Sequence, residues 1–129
     1  MENLKTFNSF INEAASLEKG PDGMYHPKYK FELKALMEQL IKKRGNRGDF
    51  NDIDTSTITD MSELFKYNKE FNGDISKWNT SNVKVMKDMF FKAEKFNRDI
   101  SQWDTSKVTD MSNMFDDCPI KEEYKPKFK

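Results

Sequence analysis

One segment of the chain, residues 99–115, reads Asp99-Ile100-Ser101-Gln102-Trp103-Asp104-Thr105-Ser106-Lys107-Val108-Thr109-Asp110-Met111-Ser112-Asn113-Met114-Phe115. Two further copies of this pattern lie 25 and 50 residues earlier, and all three align without gaps. The second copy keeps Asp74, Ile75, Trp78, Thr80, Ser81, Val83, Met86, Met89 and Phe90, and the first keeps Asp49, Thr55, Ser56, Met61 and Phe65. A fixed period in the twenties is typical of stacked coils, none of which can bury its apolar face alone.

The composition agrees with a stacked arrangement. The chain has 129 residues, enough for one domain, and only 36% of them are hydrophobic against 34% charged. Phe and Met, at 11 and 8, outnumber the 16 Leu, Ile and Val residues. Stacked coils need one narrow apolar column per coil rather than a spherical interior, and Met fills irregular gaps between coils.

The pattern within one unit predicts a short strand followed by a short helical piece. Ile75-x-x-Trp78-x-Thr80 has the spacing of a leucine-rich repeat, and its alternation predicts a strand with Trp78 and Thr80 inward. The apolar steps of three, three and one over residues 83–90 indicate a helical or 3₁₀ segment, with Ser81 as its N-cap. These features predict a mixed α/β fold, a short right-handed leucine-rich-repeat solenoid of three coils with an N-terminal helical cap.

The ends of the chain differ from this middle part. The spacing of apolar residues before Gly20-Pro21 predicts a first helix, which either packs on the second or forms a detachable arm. Pro27 suits the start of a second, capping helix, and Lys42-Lys43-Arg44-Gly45 suits its end, with the glycine in the αL conformation. The predicted domains are therefore a helical hairpin or cap over residues 1–44, repeats over 45–120 (about 46–70, 71–95 and 96–120), and a tail over 121–129.

Charge and cysteine content narrow the class of protein. The 22 basic and 22 acidic residues balance, which argues against nucleic-acid or membrane binding driven by positive charge. The balance is uneven along the chain, because residues 45–120 carry 10 basic and 14 acidic side chains. One cysteine excludes an internal disulfide framework, and no membrane span or secretion signal is recognised. We therefore expect a location in the cytoplasm of a bacterial host cell or on a virion.

The repeated motif Asp-Ile-Ser-x-Trp-Asp-Thr-Ser-x-Val-Thr-Asp-Met-Ser-x-Met-Phe resembles the BspA-type leucine-rich repeat over residues 46–120. Repeats of this type occur in bacterial surface, mycoplasma and bacteriophage proteins. The resemblance implies a right-handed solenoid that binds macromolecules and has no catalytic machinery. The surface members carry a leader sequence and many repeats, and this chain is expected to differ from them in both respects. Its opening, Lys5 to Ala14, is similar to the start of many tailed-phage proteins and suggests a phage or prophage origin.

An inventory of reactive residues favours a protein without catalysis or a cofactor. His26 precedes Pro27, where a capping or turn role is expected. Cys118 is expected to be a small, buried hydrophobic residue. The aspartates that recur once per unit leave two interpretations: they hold a hard cation such as calcium, or each accepts N–H bonds in its own turn. The second is favoured, so no metal is predicted. Arg47-Gly48-Asp49 aligns with the turn residues of the other units and is interpreted as a turn.

The sequence thus predicts a non-catalytic module that recognises a protein partner through the strand face of the solenoid. The predicted binding residues are Asp52, Asp54, Lys77, Asn79, Gln102 and Asp104. We expect the partner to present a basic surface. We do not expect the protein to bind nucleic acid, a membrane or a cofactor. The alternatives are an accessory virion protein docked through its N-terminal helix and an intracellular phage inhibitor of a host protein. The oligomeric state stays open.

Overall fold

A computed structural model describes residues 18–128 of the chain. In this range the regular structure consists of one α-helix, α1 at Lys30–Arg44, and one 3₁₀ helix at Glu122–Tyr124. Strand-like pairing is limited to four isolated parallel bridges in the described part, three of them between units, such as Asp49 with Asp74, and one between Tyr25 and Ile53; no continuous strand or sheet forms there. The predicted mixed α/β leucine-rich-repeat solenoid is therefore wrong.

The predicted outer strand is replaced by consecutive turns. Asp74 Oδ1 accepts a hydrogen bond from the Ser76 N–H at 3.0 Å, and Asn79 Oδ1 accepts one from the Ser81 N–H at 3.0 Å. Side chains that bond the backbone two residues ahead offer it an alternative to a ladder. The predicted phase is nevertheless correct, since Trp78 and Thr80 are 3% and 2% exposed.

The predicted helical segment is a run of turns with a left-handed residue at every fourth position. The φ angles of Glu63 and Tyr67 are 62° and 63°, and those of Asp88 and Lys92 are both 56°. Within this run alternate N–H groups bond the carbonyl three residues back, as from Lys66 to Glu63 at 3.2 Å. The others cross to the next unit. Every second N–H is thereby satisfied locally and the rest between units, so neither a helix nor a strand is needed.

The crossing bonds join the three units. N–H groups of the first unit donate to carbonyls of the second at 2.8–2.9 Å, and those of the second donate to the third at 2.8–3.0 Å. The pairs are Met61 to Val85, Glu63 to Lys87, Phe65 to Met89 and Tyr67 to Phe91, then Met86 to Asp110, Asp88 to Ser112, Phe90 to Met114 and Lys92 to Asp116. Inside, equivalent rings stack: Phe65, Phe90 and Phe115 follow one another at centroid separations of 5.4 and 5.7 Å.

Helix α1 confirms most of what the sequence indicated for its region. It begins at Lys30 rather than Pro27, and its apolar stripe, including Leu33, Leu36 and Leu40, is buried in the same core cluster as the first unit. Gly45 has the positive φ that was expected, 82°, but its ψ of 169° is not that of the αL conformation. The first predicted helix lies outside the described residues. No helix in residues 18–128 has the length and apolarity that crossing a membrane requires.

The C-terminal segment lies on the front half of the third unit. Ile100 N–H donates to the Tyr124 carbonyl at 3.0 Å, and the Thr105 hydroxyl donates to the Lys127 carbonyl. Ile120 is buried beside them. This segment therefore continues the stack over residues 96–105.

Candidate binding groove

The six residues predicted to form the binding face fall into two groups. Lys77, Asn79, Gln102 and Asp104, from the second and third units, are exposed, whereas Asp52 and Asp54 from the first unit are partly buried. The first group lies on the outer side of the turns that replace the predicted strand. The second is engaged in ion pairs that join the first unit to the residues before it.

Asp52 holds the end of α1 on the first unit. Its carboxylate accepts hydrogen bonds from both terminal nitrogens of Arg44, at 2.8 and 2.9 Å, and lies 2.9 Å from Lys19 Nζ. The two-pronged contact with the Arg44 guanidinium lowers the pKa of Asp52 far below its usual range, although partial burial acts in the opposite direction. Asp52 therefore joins the end of α1 to the first unit.

Asp54 is engaged with its own turn and with His26. Its Oδ1 accepts the Ser56 N–H at 2.9 Å, and its Oδ2 lies 3.1 Å from His26 Nδ1. The other ring nitrogen of His26 lies 2.8 Å from Asp22 Oδ2. The hydrogen bond with Asp22, with help from the charge of Asp54, raises the pKa of His26. The single histidine therefore ties the turn at Asp22 to the first unit.

A groove of about 440 Å³ runs along the exposed side of the second and third units. Its lining includes two of the predicted residues, Lys77 and Gln102, together with Asp74, Ser76, Arg98 and Asp99. The Arg98 side chain is anchored, because its Nε donates to the Asn72 carbonyl at 2.8 Å and its Nη2 to the Arg47 carbonyl at 3.3 Å. We call this surface the outer groove.

Arg98 was not among the residues predicted from the sequence. It occupies the position held by Gly48 and Gly73 in the other two units, and this exchange was the available signal. With Lys77 and Arg98 opposite Asp74 and Asp99, the groove carries both signs of charge. It is thus less acidic than the face that was expected.

The recurring aspartates accept hydrogen bonds within the turns that they begin. Asp99 Oδ1 accepts the Ser101 N–H and hydroxyl at 3.0 and 2.6 Å, and these bonds lower the pKa of Asp99. In Asp74 the bonds from Ser76 lower the pKa despite the opposing effect of burial. Among residues 18–128, His, Cys, Asp and Glu side chains form no group of three or more suited to hold a metal ion. The hydrogen bonds support the interpretation of the aspartates as turn residues.

The remaining candidates are also accounted for by packing. Cys118 is partly buried with its Sγ 3.5 Å from the Phe96 carbonyl, and burial raises the pKa of its thiol, which disfavours the reactive thiolate. Trp78 and Trp103 stack at 6.5 Å with parallel rings and are buried, as their inward phase predicted. Of the Arg47-Gly48-Asp49 tripeptide, Arg47 and Gly48 lie in a turn closed by the bond from the Gly48 N–H to the Gly45 carbonyl at 3.3 Å, and Asp49 pairs with Asp74.

These observations define a protein of stacked 25-residue turn units, closed at one end by a helix and carrying a shallow polar groove. The chain belongs to the family described as "Mycoplasma protein of unknown function, DUF285", whose match covers residues 33–123, from α1 to the C-terminal segment. Comparisons with curated proteins and with solved structures gave no match.

Proposed function

We propose that this protein is a non-catalytic module that binds another protein through the outer groove. The observation that carries the proposal is that the exposed groove is held in one shape by hydrogen bonds within and between units. Ser76 and Ser101 fix the aspartates on its two sides, and Arg98 is bonded to carbonyls of both preceding units. Preorganised polar side chains lose little entropy when a partner binds them.

The charges of the groove suggest the character of the partner surface. Lys77 is exposed and Gln102 lies beside it, so a partner meets a cation and an amide close to two carboxylates whose Oδ1 atoms are already engaged. A partner with paired acidic and basic side chains fits this arrangement better than the uniformly basic surface expected from the sequence. The resemblance of the unit to the BspA-type repeat supports a binding role of the same kind.

The experiment places a photo-crosslinking residue at Gln102 and, as a control, at Glu94, which is exposed outside the groove lining. Each protein is irradiated in an extract of the source cells. We expect one crosslinked species from position 102 and none from position 94. The partner is then purified, and its affinity is measured against Lys77→Glu, with Lys28→Glu as the charge-matched control.

The two Lys variants separate a specific contact from a general effect of charge. If the groove is the binding surface, Lys77→Glu weakens binding about ten-fold or more and Lys28→Glu leaves it unchanged. Equal crosslinking at both positions, or equal effects of both Lys variants, contradicts the proposal.

A further inference from the structure

The ladder between units runs in one direction over residues 61–67 and 86–92. Each of the first two units donates four N–H bonds to the unit after it and receives none in return along this stretch. The forward edge of a unit is therefore a row of donors, and its rear edge a row of acceptors. An ordinary parallel strand pair exchanges bonds in both directions and has no such polarity.

The third unit has the same row of donors without acceptors. The N–H groups of Met111, Asn113, Phe115 and Asp117 find none among residues 18–128. Yet the backbone keeps the conformation of the paired units, since the φ angles of Asn113 and Asp117 are both 57°. The internal bonds recur as well, as from Met114 N–H to the Met111 carbonyl at 3.2 Å. The four N–H groups thus keep the geometry in which they could donate to the carbonyls of a further layer of chain.

Apolar surface accompanies this row. Met111 is 47% exposed, whereas Met61 and Met86 at the same position of the other units are fully buried. Phe115 is only partly buried, although Phe65 and Phe90 have no exposure. The carbonyls of the C-terminal segment accept hydrogen bonds from the front half of the unit and none from residues 108–117, although Lys125 Nζ lies 5.3 Å from the centroid of the Phe115 ring. We call residues 108–117 the open edge.

A second copy of this chain does not offer the complementary surface. The acceptor row of the first unit lies at the end where α1 packs, with Lys30 Nζ donating to Ser62 Oγ at 2.9 Å and Leu64 and Phe65 buried in the shared core. Two open edges brought face to face present donors to donors. The arrangement therefore favours a segment of a different polypeptide.

The charges beside the open edge define that segment further. Asp116 and Asp117 are exposed, and Asp110 is partly so. We propose that the open edge binds a basic polypeptide segment of another protein, whose alternate backbone carbonyls accept the N–H groups of Met111, Asn113, Phe115 and Asp117. An apolar side chain of that segment covers Met111, and its Lys or Arg side chains face the aspartates. The arrangement repeats the contact between units, with a chain from outside as the next layer.

The chain itself supplies matched probes. A synthetic peptide of residues 83–92 has a net charge of +2 and contains the carbonyls that serve as acceptors in the second unit. A peptide of residues 108–117 has the same length and register with a net charge of −3. Each is titrated into the full ¹⁵N-labelled protein, and amide shifts and hydrogen exchange are followed. We expect the basic peptide to shift and protect amides 111, 113, 115 and 117, and the acidic one to bind about ten-fold more weakly.

Substitutions separate the charge effect from folding. Asp116→Asn with Asp117→Asn should weaken the basic peptide about five-fold, and Asn is well suited to the positive φ of Asp117. Glu94→Gln with Glu123→Gln removes two exposed charges elsewhere and should change nothing. Lys77→Glu, in the outer groove, should also leave peptide binding unchanged, which keeps this test independent of the proposed function.

Several results overturn the inference. One is that the basic peptide shifts other amides or binds no better than the acidic one. Another is protection of the four amides in the free protein at low concentration, which means that this chain covers its own edge. Protection that grows with protein concentration assigns the edge to a second copy instead.

Discussion

The two stacked tryptophans provide a comparison in which the same substitution should have two different costs. The indole N–H of Trp78 donates to the Phe50 carbonyl at 2.9 Å, and that of Trp103 donates to the Ile75 carbonyl at 3.1 Å. The Ile75 carbonyl also accepts the Trp78 backbone N–H at 3.2 Å, whereas the Phe50 carbonyl has no second donor in residues 18–128. Replacement by Phe removes the indole donor and keeps most of the ring.

The expected magnitudes follow from these contacts. Trp→Ala at either position should lower the free energy of unfolding by about 3–5 kcal/mol, because both rings are at least 95% buried and stacked on each other. Trp103→Phe leaves its acceptor with one bond and should lose about 0.5–1.5 kcal/mol in hydrogen bonding, whereas Trp78→Phe leaves a buried carbonyl unpaired and should lose about 1–3 kcal/mol.

Urea unfolding followed by fluorescence measures these differences, since every single variant retains one tryptophan. Calorimetry of the unmodified chain tests whether unfolding is two-state. A loss under about 1 kcal/mol for Trp103→Ala would mean that the ring lies outside a packed interior. A cost for Trp103→Phe equal to or above that of Trp78→Phe would refute the reasoning from the shared carbonyl.

Three other changes test local contacts. Gly73→Ala should destabilise by about 1–3 kcal/mol in urea melts, because the new Cβ would lie 2.5 Å from Phe50 Cε2 and the ring has no room to move; wild-type stability would contradict this. The hydrogen bond with Asp22 raises the pKa of His26 in the folded protein. The contribution of this bond to folding stability is therefore complete below the unfolded-state pKa of about 6.5 and is lost as the pH rises through the folded-state pKa. The melting temperature should fall over that window, and His26→Gln should remove the dependence. Arg44→Lys keeps the charge but loses the two-pronged contact, and urea melts should show a loss of about 1 kcal/mol.

Much of the packing could be predicted from the 25-residue spacing. Side chains that face inward, such as Trp78 and Thr80, alternate with exposed ones such as Lys77, and this phase does not depend on the exact backbone conformation. The apolar stripe of α1 was equally visible, because a helical period leaves few alternatives. Its start was misplaced by three residues, since Pro27 suits a turn as well as a first helical position.

The backbone between those side chains could not be predicted from apolar spacing. Steps of three, three and one fit a helix, a 3₁₀ segment and a run of turns alike, because all three bring residues three apart to one side. The left-handed conformation of residues such as Glu63 and Lys92 is what makes the backbone a run of turns rather than a helix. Neither of these residue types favours positive φ, although half of the residues in this conformation are Asp or Asn, which tolerate it. The conformation is also stabilised by bonds to the neighbouring unit, which a single unit's sequence does not contain.

The prediction of the candidate site from the repeat was limited for the same reason. Asp52 and Gln102 occupy equivalent outer positions, 50 residues apart, and the repeat treats them as members of one face. Their difference arises from Arg44, which lies at the end of α1 and reaches only the first unit. Arg98 enters the groove for a complementary reason, since it replaces a glycine and anchors to carbonyls that the repeat places nearby.

Because the hydrogen bonds between units run in one direction, one end of the stack within residues 18–128 has unpaired carbonyls and the other has unpaired N–H groups, and the two ends require different partners. At the acceptor end, a helix packs over the core without supplying N–H groups, because all but its first few are used internally. Carbonyl groups tolerate the loss of a partner better than N–H groups, since unpaired N–H groups are the rarer of the two in native structures. At the donor end a helix would help little, because all but its last few carbonyls are used internally; apart from water, a segment with free carbonyls at alternate residues satisfies the row. The C-terminal segment contributes in this way to the front half, where the Tyr124 carbonyl accepts the Ile100 N–H and the Lys127 carbonyl accepts the Thr105 hydroxyl. The back half retains the same requirement, and this is why an extended partner, rather than a helix, fits the open edge.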